Sequence, residues 1–204
     1  ASDNRLSAEL KARGTRLGEW RANIALPLAR SGSGWTVLPE SPLNGKIHID
    51  VADLSWVGPA LDSNIKSSGR LSLAADVAGT FDQPHLRGLL NGNDLAVAWL
   101  DQGIRLQQGK LTARLDQTRL HIDQLSFVAP HDAPPRDRLL AGLKLAKEPG
   151  NITLSGMIDP LEKRGNLDLS ASRLTLAQRS DRWIIASGQG RIGFEQDTLT
   201  LGGK

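Results

Sequence analysis

Hydrophobic and polar residues alternate along most of the chain. In Gly69–Val77 the odd positions are apolar and most even positions are polar, and Gly109–Leu115 repeats the pattern. The same alternation occurs in residues 46–51, 120–123, 166–171, 174–176, 191–195 and 199–201. Because successive side chains of a strand point to opposite faces, each segment predicts a strand with one apolar and one polar face.

The segments are separated by short stretches rich in Gly, Asn, Asp and Pro, which are typical of turns. Such stretches occur at residues 79–84, 91–94 and 147–151. A spacing of roughly ten residues between strands is typical of antiparallel hairpins, and parallel neighbours would need long crossover segments. The fold class predicted from this pattern is all-β, an elongated antiparallel meander.

Two stretches interrupt the alternation. Residues 53–61 have apolar positions at near-helical spacing, which predicts a short helix or turn. Residues 130–135 predict a loop, and residues 136–140 a strand or one helical turn. Because the alternation resumes after both stretches, we expect residues 1–204 to form a single unit. The sequence starts and stops within the strand pattern, so we expect this unit to be a fragment of a longer domain.

Composition limits the function classes. Aromatic residues make up 4%, with no Tyr and three Phe, so the apolar surface comes from Leu, Ile, Val and Ala and suits a broad smooth wall at least as well as a packed centre. The 25 basic and 22 acidic residues are scattered along the chain, which argues against a nucleic-acid partner. The absence of Cys excludes disulfides and thiolate metal sites. No apolar run approaches the roughly 20 residues that a membrane-spanning helix needs.

Three groups of residues raise the question of a chemical site. Residues 188–193 match G-x-G-x-x-G, but a dinucleotide site needs a helix that begins within the motif, and here the strand alternation continues, so we expect glycines at a turn or on a crowded sheet face. His48 with Asp50, and His121 with Asp123, share a strand face with the polar residues and lack a third metal ligand at sensible spacing. With no nucleophile motif present, we expect no enzyme activity, no cofactor and no metal.

One block of sequence is more specific than the alternation. Residues 69–88 read as a strand, then Gly79-Thr80-x-x-x-Pro84, then Leu86-x-Gly88, and a further strand. The segments 95–97 and 101–111 follow it, the segments 42–47 and 56–59 precede it, and residues 120–127 continue it. The order of these elements over residues 42–128 resembles the TamB family, the inner-membrane-anchored subunit of the translocation and assembly module of Gram-negative bacteria.

The resemblance implies an incompletely closed β-structure, the β-taco, with a continuous hydrophobic inner groove, and a relation to AsmA-like and bridge-like lipid-transfer proteins. It further implies a periplasmic location, with an inner-membrane anchor outside this fragment. Proteins of the family are implicated in moving phospholipid between the two membranes. They are also implicated in assembling outer-membrane β-barrel proteins with a TamA-like or BamA-like partner.

We therefore expect an open groove that takes up phospholipid acyl chains, because burial of each CH2 is worth about 0.8 kcal/mol. Two alternatives remain open: a chaperone-like scaffold that pairs nascent outer-membrane strands with a free sheet edge, and a closed β-sandwich whose apolar faces meet. The residues predicted to line the groove are the apolar members of the alternating segments. They are Ile47, Ile49, Val51, Leu71, Leu73, Val77, Leu95, Val97, Leu106, Leu111, Ala113, Leu115, Leu120, Ile122, Leu125, Phe127, Ile152, Leu154, Leu167, Leu169, Leu174, Leu176, Ile192 and Phe194.

Overall fold

The computed structural model of the chain describes residues 5–16, 18–31, 34–101, 103–130, 149–179, 182–196 and 198–203. Within these ranges the side chains of 175–179, 182–186 and 199 are not described. Of the loop predicted at 130–135 only residue 130 is described, and the strand or helical turn predicted at 136–140 lies outside the described residues. The elements are β1 (Arg5–Gly14), β2 (Gly18–Pro27), β3 (Ala29–Ser31), β4 (Gly34–Thr36), β5 (Asn44–Val51), α1 (Val57–Leu61), β6 (Ile65–Gly79), β7 (Pro84–Trp99), β8 (Ile104–Asp116), β9 (Arg119–Ala129), β10 (Gly150–Asp159), β11 (Arg164–Arg179), β12 (Arg182–Glu195) and β13 (Thr198–Gly203).

Eleven strands form one antiparallel sheet, in the order β1-β2-β5-β6-β7-β8-β9-β10-β11-β12-β13. Strands β3 and β4 form a small separate hairpin between β2 and β5. The described strands therefore do not form two large sheets that could pack as a sandwich. The sheet is not closed into a barrel, because among the described strands β1 pairs with β2 alone and β13 with β12 alone. The prediction of an all-β antiparallel meander is confirmed.

The pairing register places the apolar faces of all eleven strands on the same side of the sheet. One row of directly paired positions crosses every strand without a polar residue. Its members are Ala12, Trp20, Ile49, Leu73, Leu90, Ala113, Ile122, Gly156, Leu167, Ile192 and Leu201. Ten spacings of about 4.8 Å make this row about 48 Å long, measured along the sheet.

Bulges bend the sheet. Gly69, Asp94 and Gln108 have positive φ values of 124°, 53° and 52°, and each lies where the register shifts between neighbouring strands among β6–β9. A bulge leaves one residue unpaired and bends its strand. Non-glycine residues rarely adopt this conformation, so Asp94 and Gln108 mark bends that the surrounding pairing maintains.

The sheet curls towards its apolar side. Cα atoms of β8 come within 8 Å of Cα atoms of β11, although two strands lie between them and a flat sheet would separate them by about 14 Å. Ala113 and Ile122, on the apolar side of this bend, are 0% and 9% exposed. The result is an open groove whose inner wall is apolar.

The protein buries little of its surface. The chain exposes 14381 Å², about 1.5 times the roughly 9300 Å² expected for a globular protein of 22.0 kDa.

The helix at 57–61 confirms the short helix or turn predicted for 53–61. The turn predicted at 91–94 is wrong, since β7 runs through these residues. The Gly and Asn residues there form a bulge at Asp94 and not a hairpin.

Candidate functional site

The apolar face of the sheet carries the residues predicted to line the groove. All of those whose side chains are described lie on this face, as the cross-strand register shows. Leu176 pairs with Ile184 in the backbone register, but its side chain lies outside the described part. The face is not uniform, because segments from outside the sheet cover parts of it.

Residues 37–43 cover the face at the edge of the groove where β5 begins. Leu43 is 8% exposed and packs with Leu26 and Val77, and Val37 packs against the same group. The backbone N–H of Leu43 donates to the Gly79 carbonyl at 2.9 Å, and that of Phe81 donates to the Ser41 carbonyl at 3.0 Å. This loop is therefore held against the turn between β6 and β7.

Residues 52–61, which we call the strap, cover the face at the opposite edge, where β5 ends. Leu54 is 9% exposed and forms a buried cluster with Leu95 and Phe127. Half-buried residues pack around this cluster: Val51, Val57, Leu71, Val97, Leu106, Leu111, Leu125 and Ile152. Many predicted lining residues thus contact other side chains of the protein here.

Strands β10–β13 present a more open part of the face. Among their described residues no hydrophobic side chain is buried, and Leu167, Leu169 and Ile192 are half-buried. Two glycines show the difference. A Cβ on Gly109 in β8 would collide with the ring of Phe127, whereas one on Gly190 in β12 would find its nearest side-chain atom, Leu169 Cδ2, at 4.0 Å.

The opposite face is polar and carries a ladder of alternating charges along one edge of the sheet. Its members are Lys46, Asp76, Arg87, Asp116, Arg119, Asp159, Arg164 and Glu195. Arg87 Nε lies 3.5 Å from Asp116 Oδ1, and Arg119 Nε lies 3.5 Å from Asp159 Oδ2. Opposite charges on neighbouring strands favour this register over a slipped one. The sequence pattern did not reveal the ladder, because only the pairing brings its members together.

Asp159 is the one ladder member that is nearly inaccessible, at 2% exposure. Burial opposes its charged form, but the backbone N–H of Glu162 and the side chains of Arg119 and Thr118 outweigh that effect, so the pKa of Asp159 is lowered. These contacts join the β8–β9 turn to the β10–β11 turn. The role that they indicate is structural.

A hollow of about 840 Å³ lies on the polar face over β5–β9. Small or apolar residues Ala74 and Leu89 lie among charged and imidazole side chains, which include Lys46, Arg114 and His121. Leu89 is 53% exposed, an unusual position for a leucine on this face. Two of the cations around the hollow already have carboxylate partners, since Arg87 pairs with Asp116 and Arg114 with Asp123.

Neither of the two His–Asp pairs gains a third metal ligand among the described residues. Asp123 accepts hydrogen bonds from Arg114 Nε and Nη2, which lower the pKa of its carboxyl. His48 and Asp50 are exposed on the polar face. Among the described residues no group of three or more His, Cys, Asp or Glu side chains is arranged to hold a metal ion.

The G-x-G-x-x-G segment lies within β12, with no helix beginning in it. Gly188 pairs with Ala171, and Gly190 with Leu169, which places both glycines on the apolar face. Of the two positions predicted for these glycines, a turn or a crowded sheet face, the structure has a sheet face, and at Gly190 that face is not crowded with side chains. At these two glycines no side chain projects from the apolar face into the groove.

Comparisons with protein-family models, curated proteins and solved structures found no match to this chain. The resemblance to the TamB family therefore stays a prediction, carried by residues 42–128. In the described part of the chain, no helix has the length and apolar character needed to cross a membrane.

Proposed function

We propose that the apolar face is a conduit for phospholipid acyl chains, in a protein that moves lipid between membranes. The observation that carries this proposal is the uninterrupted apolar row across eleven strands, on the inner wall of a groove that no second large sheet covers within the described residues. A globular protein would bury such a surface in a core. Here most of it is half-buried, which leaves it able to contact a further apolar molecule.

The energetics of this surface suit the passage of an acyl chain along the apolar face. Each acyl CH2 that leaves water for the wall gains about 0.8 kcal/mol. One acyl chain, about 15 Å long as half of a bilayer core, spans only about three strand spacings. The row is about three times that length, so a chain can occupy successive positions of similar character. The polar headgroup would stay in water at the open side of the groove.

The resemblance to the TamB family supports the same proposal from the sequence. Under it, the chain works in the periplasm between the inner and outer membranes, with a TamA-like or BamA-like partner. These assignments are part of the proposal.

Photo-crosslinking tests the conduit. A photo-crosslinking residue replaces Leu169, on the apolar face, or the neighbouring Ser170, which is exposed on the polar face. The protein is mixed with vesicles of phosphatidylethanolamine and phosphatidylglycerol, and captured phospholipid is identified by mass spectrometry. We expect capture at Leu169 and little at Ser170. Equal capture at both positions, or none at Leu169, would contradict the proposal.

A second candidate function is pairing with strands of nascent outer-membrane proteins. One observation favours it: among the described strands β1 pairs with β2 alone, and it has ten residues, contains no Pro, and places Leu6, Ala8 and Leu10 on the apolar side. A crosslinker at Ser7 that captures nascent barrel strands in the absence of lipid would favour this function over the conduit.

A further inference from the structure

The strap is hydrogen-bonded to β6 through the Ser67 side chain and the Gly69 backbone. This serine is half-buried on the apolar side of the strand, opposite Val97 of β7. Its hydroxyl donates to the Leu54 carbonyl at 2.6 Å and accepts from the Gly58 N–H at 2.7 Å. The N–H of Leu54 also donates to the Gly69 carbonyl at 3.1 Å. One side chain thus supplies two of these three hydrogen bonds between the strap and the sheet.

The strap has internal bonds that do not depend on the sheet. At its start the Asp53 carboxylate accepts from the N–H and the hydroxyl of Ser55, both at 2.8 Å. Directly after it the Asp62 carboxylate accepts from the Asn64 N–H at 2.8 Å. Within it the N–H of Ala60 donates to the Trp56 carbonyl at 3.2 Å. Local turns therefore help to fix the shape of this segment.

Two features favour release of the strap. The indole N–H of Trp56 is buried and has no hydrogen-bond acceptor among the described residues, and a buried donor without a partner favours a state in which water reaches it. The outer side of the strap is exposed, with Leu61 at 77%. By contrast, the strap's inner side has one buried large side chain, Leu54, and the close contact of Gly58.

We propose that the strap is a releasable cover, held by the Ser67 hydroxyl, and that its release opens the part of the groove around Leu95, Val97 and Phe127. The role of the opened part as an acyl-chain site rests on the conduit proposed above; the release itself does not. When the strap lies on the sheet, Leu54 and Val57 occupy this part of the face. When it lifts, the apolar face at the end of β5 becomes continuous with the open face of β10–β13.

Hydrogen exchange measured by mass spectrometry on the full chain tests the release. We expect Ser67→Ala to accelerate exchange of the amides at 54–62 by about tenfold, because the Leu54 carbonyl and the Gly58 N–H lose their partner. Ser68→Ala is the matched control, since Ser68 is exposed on the polar face, and should change exchange by less than about twofold. In both variants exchange in β10 and β11 should stay as in the parent protein, which shows that the sheet is folded.

Two further variants act on the strap by other means. A Cβ on Gly58 would lie 2.7 Å from the Ile65 carbonyl oxygen and 2.9 Å from the Ser67 nitrogen, so Gly58→Ala should accelerate exchange as Ser67→Ala does. Trp56→Phe removes the unpartnered N–H and should slow it. If Ser67→Ala changes exchange no more than Ser68→Ala does, or accelerates it equally in β10 and β11, the releasable cover is overturned.

The lipid arm uses a photo-crosslinking residue at Val97 and the same phosphatidylethanolamine and phosphatidylglycerol vesicles. We expect Ser67→Ala to raise phospholipid capture at Val97 by about threefold or more, with capture at Leu169 unchanged. Accelerated exchange with no capture at either position would overturn the conduit and leave the releasable cover standing. Accelerated exchange with capture at Leu169 but no rise at Val97 would overturn the role of the cover in lipid access.

Discussion

The groove has two parts that share one sequence pattern and differ in what covers them. In β5–β9 the apolar face is covered by residues 37–43 and by the strap, and Leu95, Phe127 and Ala113 are buried. In β10–β13 the described hydrophobic residues are at most half-buried. The comparison teaches that alternation alone does not distinguish a packed core from an open wall. The first part holds the sheet in its bent form, and the second offers surface to another molecule.

The largest expected difference between the two parts comes from a buried charge. Ile122→Glu places a carboxylate in the buried part and should cost several kcal/mol, enough to unfold a marginal domain. Ile192→Glu places the same group on the half-buried face of β12, where water can reach it, and should leave the fold intact while reducing lipid capture at Leu169. Circular dichroism and urea denaturation check the first statement. Unfolding of both variants alike would show that the two parts are equally packed.

Removal of a large side chain should show the next largest difference. Phe127→Ala leaves a cavity in the buried cluster and should lower the free energy of unfolding by about 3 kcal/mol. Leu169→Ala removes a side chain that is only half-buried, so we expect a loss of about 1 kcal/mol. Chemical denaturation of both variants measures these values. A loss at Leu169 as large as that at Phe127 would contradict an open wall in β10–β13.

The two glycines on the apolar face provide a milder test. Gly109→Ala would bring a Cβ against Phe127 and to 2.6 Å from Leu95 Cβ, and overpacking of this kind costs about 1–3 kcal/mol. Gly190→Ala meets only the Gly202 carbonyl oxygen at 3.1 Å and Leu169 Cδ2 at 4.0 Å. Its melting temperature should therefore stay close to that of the parent. A melting temperature that falls equally in both variants would argue that β12 is as crowded as β8.

Acid should produce the smallest of these effects on the free energy of unfolding. It acts through carboxylates on the polar face. The pKa values of Asp159 and Asp123 are lowered in the folded protein. Their contribution to stability is therefore complete above the usual aspartate pKa of about 3.9 and is lost as the pH falls through the lowered values. Asp159→Asn should remove part of this acid sensitivity, as measured by urea denaturation at pH 6 and at about pH 3. A parent protein whose stability does not decline with acid would contradict the linkage.

Much of the secondary structure follows from local pattern. The alternation at Gly109–Leu115 and the irregular spacing at 53–61 predict a strand and a short helix, and both are present. The turn predicted at 91–94 failed because Gly and Asn favour bulges as well as turns, and only the pairing of β7 with β6 and β8 distinguishes the two. The TamB resemblance supplies a function to test, and the family comparisons leave it a proposal.

The sequence by itself determined that each strand has an apolar and a polar face, because side chains alternate along an extended backbone. It also determined the short turns that make the meander antiparallel. Only the tertiary structure decided that these faces align into one row across eleven strands, since register depends on partners distant in the chain. It also decided which part of the row the strap covers: Ser67 is one serine among many in the sequence, and only folding places its hydroxyl between Leu54 and Gly58.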